Sequence, residues 1–135
     1  MRTGRGRWKI KRIYIAGPLN ADAVSYLKNV SAMTRAGIEV RRAGYAVFVP
    51  ALDLLMGIVD GQFSYQDYAE NNMAWLEVSD LVLILPGYED SKGTMAEIKR
   101  AGELSIPVVY SDGFNCAFEV ERHFKKFPFT QKEDA

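Results

Sequence analysis

The stretch SDLVLILPGYEDSKGTMAE, residues 79–97, decides the fold. Leu81 to Leu85 is an unbroken apolar run, the pattern of a central strand buried on both faces. Pro86 ends it, and a polar loop leads to Ser91, which can cap a helix running to about Leu104. Upstream, Ile13 to Ala16 is a short strand stopped by Gly17-Pro18. Asn20 or Asp22 can cap the next helix, which runs to about Arg42 and stops at Gly44. Val24, Leu27, Val30 or Ala32, and Ile38 supply its apolar stripe, in loose register. Ala46 to Val49 is a second strand ended by Pro50, and residues 51–63 are a mixed loop or short helix. Ser64 caps a helix through Val78, in which Trp75 reads as a core residue. Downstream come a strand over Pro107 to Tyr110 and a weaker helix over 115–127.

Strands that alternate with helices predict an α/β fold with a parallel sheet and right-handed crossovers. The expected architecture is Rossmann-like or flavodoxin-like: four to five strands with helices on both faces. Ligands of such sheets bind beyond the carboxyl ends of the strands. The chemistry is therefore expected in three loops: Gly17 to Asp22, Pro50 to Ser64, and Pro86 to Glu97.

A chain of 135 residues with 48% apolar and 25% charged residues is that of an ordinary globular protein. One domain is expected over 13–127, between a basic arm (1–12) and a polar tail (128–135). Cys116 is the only cysteine and His123 the only histidine, which excludes an internal disulfide and a two-histidine metal site. Both lie beyond the informative loops. Cys116 reads as buried or inert, and His123 as a surface or packing residue. No apolar run approaches a membrane span, and no h-region follows the basic start, so a cytoplasmic location is expected. Net charge is zero, but residues 1–12 carry six basic residues and no acid. The remaining 11 basic and 17 acidic residues leave the body at −6, which argues against a nucleic-acid-binding domain.

Ser91 to Glu97 has the makings of an anion site. Ser91 caps a helix, Gly93 allows close backbone approach, and the first-turn amides face the cleft. The spacing is neither that of a P-loop nor G-x-G-x-x-G. Glu97, about two turns into the helix, could attack an electrophilic sugar carbon or stabilise an oxocarbenium ion. Equally, it could be a solvated residue paired with Lys92 or Arg100. The Gly17-Pro18 turn leaves room for a ligand against the backbone. Tyr14 before it has the composition of a core aromatic whose hydroxyl needs a neighbour.

Tyr-Ile-Ala-Gly-Pro at 14–18, followed by Ser-Lys-Gly-Thr-Met-Ala-Glu at 91–97 behind an apolar strand, resembles the nucleoside 2-deoxyribosyltransferase family. The resemblance covers about residues 12–110 and includes relatives that hydrolyse nucleoside 5′-monophosphates. It implies that Glu97 is the nucleophile, forming a covalent glycosyl ester, and that Tyr14 orients it. Gly17 and Pro18 would line the substrate, and Gly93 and Thr94 would form the turn and start of the catalytic helix. Ser91 falls where transferases of free nucleosides place an aspartate and where monophosphate hydrolases have serine. A carboxylate would repel phosphate, whereas Ser91 and the helix-start amides would bind it, so a 5′-monophosphate is favoured. Water or a second base would resolve the ester, with no metal or redox cofactor. The resemblance also implies a homodimer or larger homo-oligomer with shared sites, the segment from Ser111 onward, with Asn115, contributing.

One position departs from the family. Three residues before Trp75, where the family often has aspartate, stands Asn72, which can hydrogen-bond a base but cannot protonate it. Asp67 is the first candidate for the missing acid, with Glu70 near it and Asp53 a weaker choice. Other functions remain open. Pro86-Gly87 and Gly93-Thr94-x-x-Glu97 resemble a stretched form of the lysine decarboxylase-like phosphoribohydrolase signature. Asn72 also fits a nucleotide-binding or sensing module without catalysis. The basic arm allows a nucleic-acid-binding accessory protein, whose DNA binding would be strongly salt-dependent.

Overall fold

In the computed structural model, which describes residues 10–126, four parallel strands form one sheet in the order β2-β1-β3-β4. They are β1 (Arg12–Ala16), β2 (Ala46–Phe48), β3 (Leu81–Ile84) and β4 (Val108–Tyr110). The helices are α1 (Ala23–Arg42), α2 (Asp53–Val59), α3 (Tyr65–Leu76), α4 (Lys92–Glu103) and α5 (Cys116–Lys126). Most of the basic arm and all of the polar tail lie outside the described residues.

The two-residue period of a strand builds the layers. Ile13 and Ile15 of β1, with Leu81 and Leu83 of β3, point to one face. There they meet Met33, Ala36 and Val40 of α1 and Cys116 and Val120 of α5. Tyr14 and Ala16, with Val82 and Ile84, point to the other face, against Leu76 of α3 and Ala101 of α4. Both central strands are thus buried on two sides, as the unbroken run at 81–85 predicts. Register sets Tyr14 opposite Phe48 on one neighbour and Val82 on the other.

Local signals place the helices. Asp22, not Asn20, caps α1, accepting from the Ser25 amide at 2.9 Å. Gly44 follows the α1 C-cap with φ +106°, a left-handed conformation suited to glycine. Ser64 and Asp67 form a reciprocal capping box that starts α3. The mixed segment 51–63 resolves into a 3-10 turn (Pro50–Leu52) and the short helix α2.

Two expectations about packing are corrected. Val24, Leu27 and Ile38 of α1 are exposed, and the buried stripe is Met33, Ala36, Gly37 and Val40. Hydropathy drew attention to the large residues, but the face that approaches the sheet closely is made of small ones. Trp75 is not core either. It is 51% exposed and stacks on Phe48 at 5.8 Å, and Phe48 stacks on Tyr14 at 5.4 Å.

Gly37 marks the tightest approach of α1 to the sheet, since an added Cβ would lie 2.5 Å from Cγ2 of buried Val49. Gly37→Ala should therefore destabilise the fold by about 1–3 kcal/mol through overpacking. Gly102→Ala near the end of α4 meets nothing within 4 Å and should stabilise by about 0.5 kcal/mol through helix propensity. Urea denaturation of both variants checks the pair; equal midpoints would refute the close-approach account.

Candidate active site

The carboxyl ends of the strands open into a cleft of about 810 Å³. All three expected loops reach it. Gly17 and Pro18 come from the first, Asp53 and Gly57 from the second, and Ser91, Gly93, Thr94 and Glu97 from the third. Helix α3 adds Tyr65, Tyr68 and Asn72. At Gly17 the chain passes so near Leu85 that an added Cβ would sit 3.0 Å from it. This glycine allows the first loop to lie low against the third.

Tyr14 and Glu97 meet behind this cleft. Strand parity sends Tyr14 into the α3/α4 layer, and Glu97 comes down from the second turn of α4. The Tyr14 hydroxyl donates to Glu97 Oε2. Burial pushes the Glu97 carboxyl up to about 7, and the Tyr14 hydrogen bond opposes that rise only in part. Tyr14 itself is driven far above the usual phenol range, by burial first and then by the Glu97 charge. Desolvation therefore outweighs the hydrogen bond: Tyr14 is a permanent donor and Glu97 the member that titrates. Glu97 makes no ion pair with Lys92 or Arg100; Arg100 instead pairs with Glu77 and Glu103, each at 3.0 Å.

The start of α4 holds donors. Ser91 Oγ accepts from the Thr94 amide at 3.2 Å and from Thr94 Oγ1 at 2.9 Å. With its acceptor capacity used, its own O–H is left to donate. The Met95 amide bonds the Ser91 carbonyl, whereas the Lys92 and Gly93 amides have no hydrogen-bond partner among the described residues. Lys92 and Asp90 also line the cleft.

The candidate acids separate clearly. Asp67 is exposed, closes the capping box by accepting from the Ser64 amide at 2.8 Å, and does not line the cleft. Glu70 is exposed on the outer side of α3, bonded to Gln66 at 2.9 Å. Asp53, ranked below both from sequence, is the one that lines the cleft, and burial raises its carboxyl above the ordinary value. Asn72 lines the cleft too, and its Oδ1 is buried without a hydrogen-bond partner.

Tyr65 and Tyr68 were missed from sequence. They stand seven and four residues before Asn72, on one helical face with it, so the spacing could have found them. Cys116 is buried, with its thiol pushed up by burial, and His123 packs its ring edge-on against Phe124. Neither lines the cleft. No helix among the described residues is long and apolar enough to cross a membrane.

With this fold and this cleft described, solved structures offer a likeness. This chain is similar to the 2-deoxyribosyltransferase of the psychrotolerant bacterium Bacillus psychrosaccharolyticus. The two are 25% identical over 73% of this chain and 70% of that one, with a TM-score of 0.55. The chain belongs to the family described as a domain of unknown function, DUF4406, whose model matches residues 11–110, from the residue before β1 to the end of β4. No curated protein sequence matches it significantly.

The raised Glu97 pKa has a consequence for stability. Folded Glu97 keeps its proton up to about pH 7, against an ordinary 4.5. The folded state thus binds more protons than the unfolded one between these values, and stability falls as pH rises through that window. Glu97→Gln should remove a penalty of about 3 kcal/mol at pH 8 and change little at pH 4. Thermal melts of both proteins across this range check it; parallel curves would contradict it.

Proposed function

We propose that this protein cleaves the N-glycosidic bond of a 2′-deoxynucleoside or its 5′-monophosphate, through Glu97 as nucleophile. The observation that carries the proposal is the Tyr14–Glu97 hydrogen bond at the edge of a cleft large enough to admit a nucleoside. Similarity to a 2-deoxyribosyltransferase supports the same reaction class.

In the first step Glu97 attacks C1′ while the base departs, through an oxocarbenium-like transition state. A poorly solvated carboxylate suits this role: it gains more from the developing positive charge than a hydrated one would. Tyr14 holds one carboxylate oxygen and leaves the other to react. In the second step water, or a second base, displaces Glu97 from C1′. The Ser91 hydroxyl and the Lys92 and Gly93 amides would hold a 5′-phosphate remote from C1′, so that its binding energy positions the sugar. Thr94 fixes Ser91, while Gly17 and Pro18 border the substrate.

Assembly into a homodimer or larger oligomer is part of the proposal. Leu55, Met56, Ile58 and Val59 of α2 are exposed beside the cleft, Val59 at 88%, and a second copy would cover such a surface. A second function, nucleotide binding without turnover, is favoured by one observation: Asn72 stands where an acid would be useful.

Incubation with 2′-deoxynucleosides and with nucleoside 5′-monophosphates, with and without an acceptor base, distinguishes the two. Free or exchanged base should appear, vanish in Glu97→Ala, and decline below about pH 7 as Glu97 takes up its proton. Nucleotide binding without base release would instead support the binding module. Ser91→Asp should raise KM for a monophosphate about tenfold or more by charge repulsion, with a much smaller effect on the free nucleoside. Equal effects on both would remove Ser91 from the phosphate site.

A further inference from the structure

Glu97 and the α4 start account for the sugar and its phosphate, but the departing base needs a proton. Three carboxyl groups line the cleft: Glu97, Asp90 and Asp53. Glu97 is committed to C1′. Asp90 is exposed and precedes Ser91 at the phosphate end. Asp53 begins α2, just beyond the carboxyl end of β2, the strand whose Phe48 lies opposite Tyr14.

The Asp53 carboxyl makes no hydrogen bond or ion pair with any described residue, unlike those of Asp67 and Glu70, which are engaged on the outside of α3. Its charge reaches Tyr14, so it lies within electrostatic range of the Tyr14–Glu97 pair. Partial burial without a compensating partner favours its protonated form. Asn72 Oδ1, also on the cleft, is a buried acceptor with no donor. A buried acceptor of this kind is costly unless a ligand N–H meets it, and nucleobases present such groups.

Resting on the glycosidase function proposed above, we propose that Asp53 is the acid–base residue on the leaving-group side, and that Asn72 holds the base edge against it. When Glu97 Oε bonds to C1′, the C1′–N bond breaks and its electron pair goes to the base. Asp53 delivers its proton to that base, which leaves neutral. Water then bonds to C1′ and gives one proton to the Asp53 carboxylate as the C1′–Oε bond breaks. Asp53 is again protonated, Glu97 is again a carboxylate, and the sum is nucleoside plus water to sugar plus base.

A leaving group that needs no proton tests this. An N7-methylated guanine is already cationic in the nucleoside and departs neutral without an acid. For a pyrimidine-selective enzyme, uracil against 5-nitrouracil makes the corresponding pair. Asp53→Asn should slow the ordinary substrate about 100-fold or more, the usual contribution of a general acid, and slow the activated one far less. Asp53→Ala should show the same split, and its activity on the activated substrate certifies that the variant is folded. Equal losses on both substrates in both variants, or no loss on either, would overturn the acid–base role while leaving the glycosidase function in place. A wild-type protein that releases base from none of these compounds would overturn both. Glu97→Gln should lose both substrates alike, which separates the nucleophile from the acid.

Discussion

One hydrogen bond, between Tyr14 and Glu97, ties the site to the fold across 83 residues of chain. It requires three independent things. β1 must lie beside β3, which brings the first strand under the helix that follows the third. Tyr14 must occupy the third position of β1, because a slip of one residue would turn it toward α1 and α5. Finally, α4 must start at Ser91, so that its second turn delivers Glu97 over the sheet edge. The low-dielectric setting that raises Glu97 to about 7 comes from these same packing relations, since the layer that buries Tyr14 also removes water from its partner.

Much of this was legible in sequence because it depends on short-range rules. The apolar run Leu81 to Leu85, the Gly17-Pro18 stop, and the caps at Ser64 and Ser91 are local features, and the strands and helices they delimit lie close to expectation. The pairing of Tyr14 with Glu97 was suggested by resemblance, not by spacing. What escaped was whatever depends on which side of a helix meets a neighbour. In α1 the large apolar residues stay outside while Ala36 and Gly37 approach the sheet, because a close contact selects for small volume rather than hydropathy. Trp75 looked like core for the same reason and turned out to be half exposed.

The candidate acids repeat the lesson. Asp67 sits five residues before Asn72, about 140° away around a helix with 3.6 residues per turn. The two cannot share a face, and Asp67 had a better use in the capping box. Tyr65 and Tyr68 do share the face of Asn72. Asp53 was undervalued because the segment around it carries no periodic signal. Helix α2 is short and has no buried residue, so its position follows from the turn after β2 rather than from a stripe of its own.

The sheet order also bears on how the protein comes into being. β1 is the first strand among the described residues, yet it occupies an interior position, and its two partners follow at residues 46–48 and 81–84. One backbone edge of β1 therefore stays unpaired until residues 81–84 have been synthesised. Native contacts of such long sequence separation form slowly. During that interval β1 offers an open edge to which another chain could add, and the docking of β3 closes it.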